Sequence, residues 1–173
     1  MRKLDHRLSR PIHNLVLGPL DYPLLLPGML FGTWGMPFTI GLVFLLVSGR
    51  LALLMTAAAL TTVAITGPLK RLIGRERQEP LQAPRRLEVR KLVDNPAFPS
   101  GDSAQAAMVA TLLLVAGPFP GRGGLLFVLI VPFCMFARVY YGAHWIGDTI
   151  AGAAVGALVG ALYLYLFSDF VGI

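Results

Sequence analysis

The chain has 173 residues, 55% hydrophobic and only 14% charged, with a formal net charge of +6. Charged residues normally make up about a quarter of a soluble domain. Here they cluster and leave long uncharged spans, which argues against a soluble helical core and for a single polytopic membrane domain over 1–173. The basic residues flank apolar runs, so lipid headgroups or a phosphorylated substrate account for them and no nucleic-acid partner is expected.

Residues 1–14 carry Arg2, Lys3, Arg7 and Arg10, with Leu4, Leu8 and Ile12 at near-helical spacing. This predicts an amphipathic interfacial helix, with His6 and His13 as interfacial polar residues. No cleavable signal peptide is expected. Leu15 to Val47 is apolar but broken by Pro19, Pro23, Pro27 and Pro37. It is too long for one crossing, and two short helices meeting near Gly32 to Met36 are expected, with a kinked helix plus an interfacial piece as the alternative. Asp21 reads as an interfacial turn residue. Leu51 to Leu69 is a clean span ending at Gly67-Pro68, and 71–98 is the only long polar segment, read as an ordered site-side loop. Ser100 to Val115 is a helix capped by Ser100. Leu125 to Tyr140 is a span kinked at Pro132, with the lone cysteine, Cys134, inside it, so no disulfide forms within the chain. Ala143 to Phe167 is the last span, and Gly152, Gly156 and Gly160 give it a small-residue packing face. Tyr140, Tyr141, Trp145, Tyr163 and Tyr165 read as interfacial anchors.

Alternating these spans gives an all-α bundle of about six transmembrane helices. Lys70, Ser100, Arg138 and His144 then fall on one membrane face, with both termini on the other. The N-terminal tail, Arg50 and Arg122 mark the far face as cytoplasmic, so the site is expected to face outward.

Three segments meet on that face: Lys70 to Arg77, Phe98 to Asp102, and Arg138 to Asp148. Ionisable groups at membrane depth cost several kcal/mol unless paired or hydrated, so their presence points to function. Lys70, Arg77 and Arg138 supply positive charge. Ser100 and Gly101 open a helix, where free N–H groups favour phosphate. His144 and Asp148 are four apart, so Asp148 can hold one imidazole nitrogen and leave the other to attack phosphorus. Asp102 is the only titratable side chain in the second segment and the candidate proton donor.

These segments resemble the type 2 phosphatidic acid phosphatase superfamily, whose pattern is Lys-x6-Arg-Pro, Pro-Ser-Gly-His and Ser-Arg-x5-His-x3-Asp. Lys70 and Arg77 match the first motif, Pro99, Ser100 and Gly101 the second, and Arg138, His144 and Asp148 the third. The resemblance implies a membrane phosphatase acting on a lipid phosphate or isoprenoid diphosphate through a phosphohistidine at His144. It implies Asp148 as orienting partner, Lys70, Arg77, Arg138, Ser100 and Gly101 as phosphate ligands, and no metal or other cofactor. It also implies an integral membrane protein, read here as one of a prokaryotic plasma membrane.

Gln78 replaces the proline after Arg77, and Ala137 the serine before Arg138. Asp102 stands where the family has its general-acid histidine, and an aspartate with a pKa near 3.9 is a poor acid at neutral pH. Three outcomes stay open: an acid-shifted enzyme, a diphosphate substrate whose leaving group needs little protonation, or a degenerate lipid-phosphate binder. A lipid phosphotransferase using the same histidine is a further alternative.

Overall fold

A computed structural model describes residues 2–78, 95–119 and 121–173. Among them every regular element is helical: α1 (Arg2–His13), α2 (Asp21–Met29), α3 (Gly35–Leu46), α4 (Gly49–Ile73), α5 (Gly101–Ala116), α6 (Leu125–Val128), α7 (Ile130–Tyr140) and α8 (Ile146–Val171), with short 3₁₀ turns before α2 and α6. Two of these, α4 and α8, are long and apolar enough to cross a membrane. Three further apolar helices are shorter, so length and composition do not confirm the expected six crossings among the described residues.

The helix boundaries follow from local chemistry. Ser48 and Ser100 cap α4 and α5 by accepting the N–H groups of Leu51 and Ser103. The expected stop at Gly67-Pro68 is passed: α4 carries Pro68 inside it and ends at Gly74, whose φ of 58° closes the helix with an N–H bond to the Lys70 carbonyl. This extra turn carries Lys70 and Arg71 on a rigid helix, and the polar segment starts at Gly74 rather than at 71. Residues 79–94, including Arg85, Arg86 and Arg90, lie outside the described residues. The predicted kink at Pro132 appears as a break at Leu129 between α6 and α7. The proline cannot donate to the Val128 carbonyl and its ring crowds it, so the turn before the proline gives way.

Helices α3, α4, α5, α6–α7 and α8 alternate in direction, and α5 lies against α8 as the central pair. Gly152, Gly156 and Gly160 make that contact close. A Cβ at Gly152 would strike the Ser100 carbonyl, one at Gly156 the Ala104 carbonyl, and one at Gly160 would stand 2.9 Å from the Thr111 Cβ. Backbone thus meets backbone, as a small-residue face allows. The consequence reaches the site: the Ser100 N–H donates to the Asp148 carbonyl at 3.0 Å, fixing the second motif against the third. The core between α3, α4, α5 and α8 is filled by Leu51, Met55, Met108 and Leu112.

The segment before α3 departs from expectation. With nine residues, α2 rises only about 13 Å, less than half of a hydrocarbon core. Both its ends are tied to the last turn of α7 and the residue after it. The Tyr140 hydroxyl donates to the Asp21 carboxylate, the Tyr141 hydroxyl to the Asp21 carbonyl, and Arg138 Nη1 to the Gly28 carbonyl at 2.9 Å. Asp21, Tyr140 and Tyr141 are buried, so they act as internal ties rather than as the expected interfacial residues. The same holds for α1. His13 Nδ1 lies 3.0 Å from the Tyr140 carbonyl, and the His6 ring stacks on Trp145 at 3.9 Å. The N-terminal helix therefore sits on the same face as Arg138 and His144, not opposite it. The premise behind an outward-facing site, that the basic tail marks the other face, does not hold.

Candidate active site

The end of the bundle where α4, α5 and α7 meet the start of α8 gathers all three predicted segments. Lys70, from the last turn of α4, donates to the Pro96 carbonyl at 3.0 Å. Arg77 is clamped by Asn95, donating from Nε to its carbonyl at 2.8 Å and from Nη2 to its side-chain oxygen at 2.6 Å. Its Nη1 donates to the Ala143 carbonyl and lies 3.3 Å from Nε2 of His144. Ser100 is fully buried, and its hydroxyl accepts the Ser103 N–H at 3.3 Å. Beside Gly101 no described protein atom stands within 4 Å of where a Cβ would be.

His144 is 1% exposed and lies in the turn between α7 and α8. That turn is set by Gly142, whose φ of 69° suits glycine, and by the His144 N–H bonding back to the Arg138 carbonyl at 3.2 Å. Its Nδ1 faces the Ala97 carbonyl at 2.7 Å. A carbonyl can only accept, so the proton sits on Nδ1 and Nε2 carries the lone pair. Burial, then the positive charges of Arg138, Arg77 and Lys70, hold the imidazole pKa well below 6.5 against the opposing bond to Ala97. The ring is therefore neutral at pH 7, with its unprotonated nitrogen turned toward a guanidinium.

Asp148 does not hold the ring directly. Its Oδ2 is 3.9 Å from Nδ1, beyond hydrogen-bond range. Instead Oδ2 accepts the Trp145 N–H at 2.8 Å, and Oδ1 accepts Arg75 Nη1 at 2.6 Å. The group in hydrogen-bond contact with Nδ1 is the Ala97 backbone, which no side-chain motif could reveal. Asp102 lies on α5 with Oδ2 2.8 Å from Arg138 Nη2, in an ion pair. Arg138 is consequently held by Asp102 and the Gly28 carbonyl, while its buried Nε–H has no hydrogen-bond partner among the described residues.

Several residues of this site are absent from the motifs. Gln78 is buried and donates to the His144 carbonyl at 2.7 Å and the Val139 carbonyl at 3.3 Å, which explains how a glutamine serves after Arg77. Arg75, read from sequence as a solvated charge, bridges Asp5 and Asp148. Trp145 is buried and donates from Nε1 to the Glu76 carbonyl at 3.0 Å, so it is a packing residue rather than an anchor. The sequence signal that α1 takes part in this site is the spacing of Asp5, Ser9 and His13, which puts three polar groups on one helical face. Among the described residues no cluster of three or more His, Cys, Asp or Glu side chains forms a metal site.

The structure thus brings all three motif segments to one end of a helical bundle. Residues 49–171 match the PAP2 superfamily, and the chain belongs to that family. It is 33% identical over 106 residues to decaprenylphosphoryl-5-phosphoribose phosphatase in two strains of Mycobacterium tuberculosis. That match takes in 61% of this chain, and the chain spans only 55% of those relatives' length. Among solved structures, the fold is similar to that of Aquifex aeolicus LpxE, with a TM-score of 0.76 at 21% identity, covering 94% of this chain and 95% of that one. It is equally similar to the first transmembrane PAP2 type phosphatidylglycerolphosphate phosphatase from Bacillus subtilis, with a TM-score of 0.77 at 21% identity, covering 97% and 86%.

Proposed function

We propose that the chain is a multi-pass membrane phosphatase that hydrolyses a lipid phosphate, with an isoprenoid diphosphate as the preferred class, through a phosphohistidine at His144. The observation that carries this reading is the state of His144: neutral, protonated on Nδ1 toward Ala97, with Nε2 3.3 Å from Arg77 Nη1. Nε2 attacks phosphorus, the bond from phosphorus to the leaving oxygen breaks, and the electron pair departs with that oxygen. Water then attacks the phosphorus of the phosphohistidine, releasing inorganic phosphate and restoring the imidazole. Lys70, Arg77, the Nε–H of Arg138 and the start of α5 neutralise charge on the transferred group, the main electrostatic demand of phosphoryl transfer.

Asp102 favours the diphosphate within this class. Its carboxylate is engaged by Arg138 and offers no donor to a leaving alkoxide. A phosphate leaving group needs little protonation. The relatives named above include a phosphatase of a polyprenyl-phosphate sugar, which supports an isoprenoid lipid. The ion pair also favours one competing reading, a binder without turnover. Phosphate release from polyprenyl diphosphate, abolished by His144→Ala, separates the two; binding of that lipid without any release by the folded wild type would overturn the phosphatase reading.

Residence in the bilayer is supported by the apolar outer face of the bundle. Leu46, Leu60, Leu158 and Leu162 are all half or more exposed, Leu158 at 72%, and a soluble protein does not leave such a belt in water. Five helical passes, α3, α4, α5, α6–α7 and α8, then cross it, with α1 and α2 on the site face. Among the described residues, Lys3, Arg7, Arg10 and Arg71 lie on that face besides the site cations, against Arg50 at the other end. The charge rule accordingly assigns the site to the cytoplasmic side of a plasma membrane.

A further inference from the structure

The start of α8, which carries Asp148, is finished by side chains of α1. The Ile146 N–H donates to the Ser9 hydroxyl at 2.9 Å, and the Gly147 N–H to Asp5 Oδ1 at 2.9 Å. These are two of the N–H groups that an α-helix leaves unpaired at its first turn. The other Asp5 oxygen, Oδ2, accepts Arg75 Nη2 at 2.5 Å, and Arg75 Nη1 reaches Asp148 Oδ1 at 2.6 Å. One guanidinium therefore joins two carboxylates from α1 and α8, and it lies 5.6 Å from the Trp145 ring centre, on the ring that His6 stacks against. Asp148 is fully buried, whereas Arg75 and Asp5 are largely so. Buried charge of this kind is sensitive to loss of one partner.

We propose that Asp5 and Arg75 are positioning residues for His144: the Asp5–Arg75–Asp148 chain fixes the Asp148 carboxylate, and with it the start of α8, 3.9 Å from the imidazole Nδ1 that faces the Ala97 carbonyl. The inference rests on the phosphohistidine reading above. The planar guanidinium fork reaches both carboxylates at once, one from each terminal nitrogen. Without it, Asp148 is drawn to Nδ1, and a carboxylate at that nitrogen makes the ring more basic. The charged groups facing His144 are Lys70 from α4, Arg77 from the following segment, Arg138 from α7 and Asp148 from α8, with Asp102 of α5 engaged by Arg138 and Asp5 of α1 by Arg75. The N-terminal helix is thereby part of the active site, not only a surface anchor.

The test uses the full-length protein in detergent with Asp5→Asn, Arg75→Gln and the double variant. Asn keeps an oxygen for the Gly147 N–H while removing the charge, so the cap survives and the ion pair does not. Phosphate release from polyprenyl diphosphate is measured against pH, and orthovanadate, a probe of the transition-state site, is titrated in parallel. The expected result for Asp5→Asn is a kcat lower by roughly tenfold with KM little changed, since small misplacements of a reacting group are costly. For Arg75→Gln the acid limb of the rate profile moves to higher pH. Asp5→Asn adds nothing in the Arg75→Gln background. Wild-type kcat and vanadate affinity in folded Asp5→Asn, or fully additive effects in the double variant, would overturn the proposal. Absence of turnover in the wild type would count against the phosphatase reading instead, and the vanadate titration still decides the positioning role.

Discussion

Asp102 Oδ2 and Arg138 Nη2 are 2.8 Å apart, so the residue in the acid position of the second motif is bonded to the cation of the third. In the proposed reading Asp102 holds Arg138 and delivers no proton to the leaving group. Asp102→Asn is therefore expected to leave the pH profile of diphosphate hydrolysis unchanged and to alter kcat only a few-fold. Loss of the alkaline limb in Asp102→Asn would show that the carboxyl does deliver a proton. Asp102→His is expected to raise turnover of phosphomonoester lipids relative to diphosphates, because it restores a donor for an alkoxide.

His144 also links the site to stability. Its folded pKa lies well below 6.5, the value of an ordinary imidazole. As pH falls through 6.5, the unfolded chain takes up a proton there and the folded chain does not, so stability is lost toward acid by at most about 1.4 kcal/mol per pH unit. Above 6.5 the two states bind equally and the effect vanishes. Thermal unfolding at pH 7.5 and 5.5 is expected to show a smaller acid-induced decrease for His144→Asn than for the wild type. Identical decreases would mean the imidazole titrates normally in the fold.

The central α5–α8 contact makes a different prediction. A Cβ at Gly156 meets the Ala104 carbonyl, and a carbonyl within a helix cannot rotate aside as a side chain would. Gly156→Ala is expected to destabilise the protein by about 1–3 kcal/mol, the usual range for overpacking, and to lower activity by moving Ser100 from Asp148. Gly101→Ala, where no protein atom is near, is expected to leave thermal stability almost unchanged while weakening phosphate or vanadate binding. Unfolding curves and vanadate titrations of both variants check this contrast.

Orientation is checked by reporters. With the site on the cytoplasmic side and five passes, the C-terminus after α8 lies outside. An alkaline-phosphatase fusion at Ile173 is expected to be active and a green-fluorescent-protein fusion dark. The reverse pair would put the site on the outer face.

The helices that a periodic apolar run or a cap announces were legible in the sequence: α4, α5, α8 and the paired α6–α7 overlap the spans that composition, Ser100 and Pro132 announced, although α4 and α8 run past their expected ends. The three motif segments were legible too, because each is a set of particular residue types at fixed spacing, and the fold brings them to one end of the bundle. The topology before α3 was not. Composition alone cannot tell a short apolar helix crossing lipid from one lying at the end of a bundle; α2 is the latter because Tyr140, Tyr141 and Arg138 fasten both its ends. Nor could sequence reveal partners that are backbone atoms, such as the Ala97 carbonyl on His144. Arg75 and Asp5 were obscured because a charged residue in a polar stretch reads as solvated until a distant carboxylate is seen beside it.

The most direct test of the account is covalent. Polyprenyl diphosphate labelled with ³²P in its terminal phosphate is mixed with the full-length protein and quenched within milliseconds in alkali, where phosphohistidine survives and acyl phosphates do not. The account predicts label on the protein, removed by acid, localised to His144 and absent from His144→Ala. Steady release of labelled phosphate by the wild type with no alkali-stable label on His144 at any quench time, and undiminished release by His144→Ala, would contradict it.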